Sequence, residues 1–166
     1  MSAGSISLLV DSPLRTLATV MRDVPTETKR QISAATKSAA KPIWFEETRA
    51  RAGTRVQQRV LVDSADVSAT ARNVTLKSGG KGSLSTGTKA TVLAGAAEFG
   101  MNPGKPIKSR SKKGKAYTRT AGNAFGPNRR KGYVVYPAAF DSIPRFASLW
   151  IQTAHRALYE ADEKVN

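Results

Sequence analysis

The sequence predicts an α+β fold: N-terminal helices and a C-terminal amphipathic helix packed on a mainly antiparallel β-sheet, with a long basic loop between two strands. Three observations carry this. Apolar residues recur at helical spacing near both ends, β-branched residues crowd the middle, and a glycine-punctuated basic stretch interrupts them. With 166 residues, one domain spanning 1–166 is expected, long enough to bury a core without a staple. No internal repeat is visible.

Asp11-Ser12-Pro13 reads as a helix start, and Leu14, Leu17, Ala18 and Met21 share one face before Val24-Pro25 ends the run. A longer helix is expected from Thr26 to about Ala52, with Ile32, Ala35, Ala39 and Ile43 as its apolar stripe. Pro42 should kink it, and Gly53 stops it. Trp44 and Phe45 widen that stripe and are expected in the core. From Arg55 to Leu76 the valines suggest strands, and Ser78–Gly82 asks for a turn with positive backbone angles. Thr88–Ala97 and Lys131–Tyr136 are expected as further strands. Asp141-Ser142-Ile143-Pro144 opens the last helix, where Ile143, Phe146, Ala147, Trp150, Ala154, Ala157, Leu158 and Ala161 recur at 3.6-residue spacing. Glu160, Asp162 and Glu163 oppose the dipole at its end, which frays or meets a basic partner.

The formal charge is +15, from 27 Lys and Arg against 12 Asp and Glu, and it is unevenly spread. No acid lies between Glu98 and Asp141. The arm 104–132 alone carries Lys105, Lys108, Arg110, Lys112, Lys113, Lys115, Arg119, Arg129, Arg130 and Lys131, leaving +5 for the rest. Its glycines, prolines and self-repulsion oppose a helix, so a solvated loop or a partner-binding arm that orders on contact is expected.

The composition excludes several functions. With no Cys, disulfide scaffolds, Cys-containing zinc sites and thiol catalysis are ruled out; a single His rules out multi-His metal sites within one chain. No cofactor is called for. No stretch has the length and apolarity of a membrane span, and the first ten residues lack a signal-peptide pattern, so a soluble protein assembled in the cytoplasm is expected. Gly82–Lys89 approaches a phosphate-binding loop, but Thr88 and Lys89 are in the wrong order. Glu46 and Glu47 are adjacent on a helix and point apart. Asn73-Val74-Thr75 matches a glycosylation sequon that carries no weight without a secretory signal, and His155 sits beside an apolar face. Glu98 could serve as a general base, yet lacks a neighbouring acid, His or metal ligand in sequence. Glu98, Phe99 and Gly100 are better read as a subunit interface or turn anchor. No enzyme is expected.

Ala39-Ala40-Lys41-Pro42-Ile43, then Ala50-Arg51-Ala52-Gly53, are followed by β-type sequence, by Gly95-Ala96-Ala97-Glu98-Phe99-Gly100, and by Tyr136-Pro137-Ala138-Ala139-Phe140 before the last helix. In this order they resemble the gene-ten-like tail component (neck or tail-completion) family of lambda-like long-tailed bacteriophages, over roughly residues 26–160. The resemblance rests on order and spacing. It departs from the family where the basic arm replaces a compact linker. It implies a virion structural protein forming a homo-oligomeric ring between head connector and tail tube, as tail completion or tail terminator. Its partners would be a head-completion or connector protein and a tail-terminator or tail-tube protein, with no membrane. The arm then has two candidate targets, phage DNA in the lumen or an acidic face of an adjoining ring. The alternatives are a cellular basic nucleic-acid-binding protein using the arm, and a small hydrolase using Glu98.

Overall fold

The structure, a computed structural model, describes residues 6–7, 24–111 and 113–163. The helix expected at Asp11–Met21, and Lys112, lie outside the described residues. The class is α+β, as the sequence predicts.

Helix α1 (Thr26–Arg51) follows Pro25, with Glu27 in its first turn and Arg49 and Arg51 in its last, all favourable to the dipole. Its buried residues are Thr28, Ile32, Thr36, Ala40, Trp44 and Thr48, every fourth position. The stripe is thus rotated from the expected one: Ala35 and Ala39 face solvent, and so does Phe45 at 39% exposure. Threonine can be buried here because a helix offers its own carbonyls; Thr48 Oγ1 donates to Trp44 O at 2.9 Å. Thr36 Oγ1 is the buried side-chain atom left without a partner among the described residues. Trp44 anchors the interior and donates its indole N–H to Lys77 O at 3.0 Å. Trp44→Ala is expected to cost roughly 3–5 kcal/mol, read as a drop in urea midpoint.

The strand expected from Arg55 is instead helix α2 (residues 55–62), an α-turn at Arg55–Gln57 running into π-helical Gln58–Val62. A capping box fixes its start: Thr54 Oγ1 accepts from Gln57 N, and Gln57 Oε1 accepts from Thr54 N, both at 3.1 Å. Val60, Leu61 and Val62 point into the core. The β character returns at β2 (Asp66–Thr70) and β3 (Asn73–Lys77), paired antiparallel from Asp66↔Lys77 to Thr70↔Asn73. Strand β1 (Ile6–Ser7) lies on the far side of β3, giving the order β1-β3-β2. Alternation sends Val67, Val74 and Leu76 inward. The turn after β3 needs Gly79 at φ 73°, where its N–H reaches Ser64 Oγ at 2.6 Å.

Thr88–Ala97 is not a strand either; Ala90–Phe99 forms helix α3. The arm therefore connects two helices, a correction to its expected place between strands. It also holds strands of its own, β4 (Pro106–Arg110) and β5 (Ala116–Thr120), an antiparallel hairpin followed by a 3-10 turn at Gly122–Phe125. Lys131–Tyr136 bends into helix α4 (Val135–Glu163), which starts six residues before the expected Asp141 and carries Pro144 inside it. Helix α4 packs along α1, which also covers β2. Ala40, Trp44, Val67, Val74, Leu76, Ala138, Ala139 and Phe146 form one core cluster. Trp150 closes it further along, its indole donating to Ala71 O at 3.1 Å.

Candidate functional site

Two linked features stand out: a clamp built on Glu98-Phe99-Gly100, and the basic hairpin that springs from it. Glu98 is only 4% exposed. Its Oε2 accepts from Val134 N at 3.1 Å and Val135 N at 2.8 Å, and its Oε1 accepts from Tyr136 N at 2.9 Å. These are the orphan donors at the start of α4, so a side chain from α3 performs the capping a local residue usually supplies. Burial pushes the Glu98 carboxyl above the usual carboxylate range, against the pull of the Tyr136, Val135 and Val134 N–H groups and of Arg129. With both oxygens engaged by main-chain donors, Glu98 acts as an anchor between α3 and α4.

The main chain repeats the connection. Tyr133 N donates to Glu98 O at 2.8 Å, Arg129 N to Phe99 O at 2.8 Å, and Met101 N to Gly126 O at 3.1 Å. The Phe99 and Tyr136 rings lie 5.3 Å apart, and Arg129 sits 5.3 Å over the Tyr133 ring. Gly100 and Gly132, at φ 75° and 69°, bring these strands of chain together without side chains between them. A side chain at Gly132 would fall on Glu98 Oε1. Gln57, which sequence reasoning did not single out, ties α2 to the same place through Nε2 to Ala97 O at 3.2 Å.

The hairpin begins and ends at this clamp. Ala121 N donates to Lys105 O at 3.0 Å and Gly122 N to Pro103 O at 2.9 Å. Its reversal is closed by Gly114 N to Ser111 O and Ser111 N to Lys115 O, both 2.9 Å, with Gly114 at φ 81°. Register assigns the faces. Ile107, Ser109, Tyr117 and Arg119 share one, where Arg119 Nε donates to Ser109 Oγ at 3.2 Å. Lys108, Arg110, Thr118 and Thr120 share the other and are exposed. Lys105 stands at the base, and Lys113 and Lys115 at the reversal. Arg129, Arg130 and Lys131 lie apart from these on the return segment, joined to them through the clamp. None of the ion pairs among the described residues involves the arm. Those pairs instead link the body, as where Arg51 reaches Glu47 and Asp141, both at 2.7 Å.

Beside the clamp, a groove of about 430 Å³ is lined by Arg129, Lys131, Tyr136, Pro137, Phe140 and Asp141, with Phe140 75% exposed. Neither Tyr136 nor Phe140 stands out in the sequence as a surface residue. Of the other sequence candidates, Glu47 pairs with Arg51 and Arg145, and His155 is exposed on α4. The Gly82–Lys89 turn uses its own amides internally, Leu84 N to Thr88 O and Gly87 N to Leu84 O. Among the described residues, no group of three His, Asp or Glu has metal-binding geometry, and no helix is long and apolar enough to cross a membrane. No family model, curated protein or solved structure matches the chain.

Proposed function

We propose that this chain is a structural subunit of a tailed-phage neck, closing with copies of itself into a ring between head connector and tail tube, as tail completion or tail terminator. The observation that carries the reading is the exposed apolar row on α4, where Tyr136, Phe140 and Ile151 recur at helical spacing. The ends of α4 are also oppositely charged. Arg129, Arg130 and Lys131 precede it and Glu160 and Glu163 close it, each set unfavourable to its own dipole. Head-to-tail contacts between copies would bring the two ends together, and heterologous contacts of that kind close into rings.

Deleting the gene is expected to leave filled heads and finished tails that do not join, with the protein detectable in wild-type particles. Normal joined particles in its absence would overturn the reading. A second reading, a cellular nucleic-acid-binding protein, is favoured by the arm's cations. Neighbouring reading frames for portal, capsid and tube proteins argue for the neck, and a metabolic neighbourhood argues for the second reading.

A further inference from the structure

We infer that the β4–β5 hairpin is a duplex-DNA contact, with Lys108 and Arg110, flanked by Thr118 and Thr120, meeting the phosphate backbone. This inference does not rest on the neck reading, because the same surface would serve a cellular protein equally.

The argument begins with what the hairpin lacks. A two-stranded hairpin standing alone is marginal in water, and among the described residues no other element packs extensively on this one. All five residues of β5, and Pro106, Lys108 and Arg110 of β4, are exposed. No acid lies between residues 99 and 140, so its cations have no internal partner within the arm. Such a concentration of one sign, held out from the body, favours a polyanion.

Four features favour duplex DNA over an acidic protein face. Lys is depleted at protein–protein interfaces, whereas Lys105, Lys108, Lys113 and Lys115 supply most of the hairpin's charge. Lys108 and Arg110 sit two residues apart on one face, about 7 Å along the strand, so each can meet a different phosphate. The hydroxyls of Thr118 and Thr120 lie on that same face, and such donors are the usual companions of Lys and Arg at phosphate oxygens. A two-stranded ribbon is also narrow enough to enter a major groove about 12 Å wide. Single-stranded nucleic acid is disfavoured because Tyr117 is the hairpin's one aromatic residue, and it lies on the opposite face. The contact reads charge and shape, with no base specificity.

The test is fluorescence anisotropy of a short labelled DNA duplex with the full chain across a salt series. With Arg119 on the Tyr117 face left out, the five described cations Lys105, Lys108, Arg110, Lys113 and Lys115 give a log–log salt slope approaching about −4.5, or a roughly five-hundredfold loss of affinity between about 50 and 200 mM salt. Lys108→Gln with Arg110→Gln is expected to flatten that slope by about 1.8 and weaken low-salt binding by roughly ten- to a hundredfold. Lys113→Gln with Lys115→Gln, at the reversal, should act in the same direction. Arg30→Gln with Arg72→Gln removes the same net charge from exposed positions on the body and should leave binding unchanged. All these side chains are exposed, so unchanged circular dichroism is the expected control. Four results would overturn the inference: no binding at about 50 mM salt, equal losses from hairpin and body variants, displacement of duplex by polyglutamate at equal charge, or tighter binding of single strands than of duplex.

Discussion

Glu98→Ala is expected to destabilise the protein by roughly 3–5 kcal/mol, because it strips the acceptor from three main-chain donors at once, beneath a carboxylate that is itself buried. Val134, Val135 and Tyr136 N–H would be left unpaired at the start of α4, and the link from α3 to α4 would lose its side-chain half. Glu98→Gln keeps the size but offers one acceptor oxygen and turns an amide donor toward a remaining N–H, so a cost of about 1–3 kcal/mol is expected. The two variants also separate charge from shape through pH. Burial, the leading cause, raises the Glu98 carboxyl in the folded chain, so the folded state takes up this proton at higher pH than the unfolded state does. The stability linked to it is therefore full below the ordinary carboxylate range and falls as pH rises through the raised value. Glutamine has no such slope. The wild type's advantage over Glu98→Gln in urea midpoint should shrink as pH climbs through that window. A constant advantage across it would show that the carboxyl titrates alike in both states.

The second large effect is expected at Gly100. Its φ of 75° with ψ near 180° belongs to a region open essentially to glycine, worth about 1–3 kcal/mol against any other residue. A Cβ there would also fall on the Pro127 carbonyl, 2.7 Å from its carbon. That neighbour is main chain, fixed by Arg129 N on Phe99 O and Met101 N on Gly126 O, so it cannot swing aside as a side chain would. Strain and overlap together give roughly 3–5 kcal/mol for Gly100→Ala. Gly82 provides the comparison, since it has φ 95° but no neighbour near its would-be Cβ. Gly82→Ala should cost only about 1–2 kcal/mol. If the two substitutions lower the denaturation midpoint equally, the close approach to Pro127 contributes nothing.

The sequence announced α1 because its signals are local: Pro25 before it, Gly53 beyond it, and good helix formers between. Its buried face is less legible, since half of the periodic residues are threonines, of which Thr48 turns its hydroxyl back to the helix's own carbonyls. Val56, Val60 and Val62 have strand character, whereas the Thr54 and Gln57 capping pair beside them marks a helix start. In Ala90–Phe99 the short Thr91-Val92-Leu93 run has strand character that the four alanines around it override in the same way. Tyr133–Tyr136 could not be read locally. Its β-prone residues are drawn into a helix start by a carboxylate about 36 positions earlier in the chain, and only Pro137 in the first turn hinted at it. The hairpin is legible in the sequence as charge but not as structure, because its strands have no buried face to impose alternation.

The hairpin leaves the body and returns to it at one spot, where Lys105 O accepts from Ala121 N and Pro103 O from Gly122 N. The ribbon beyond that doorway is, for the core, no longer than a single turn. Lengthening such an excursion costs only about 0.6 kcal/mol for each doubling. Its reach is thus an adjustable dimension, like a lever whose arm can be cut to any length while the pivot stays fixed.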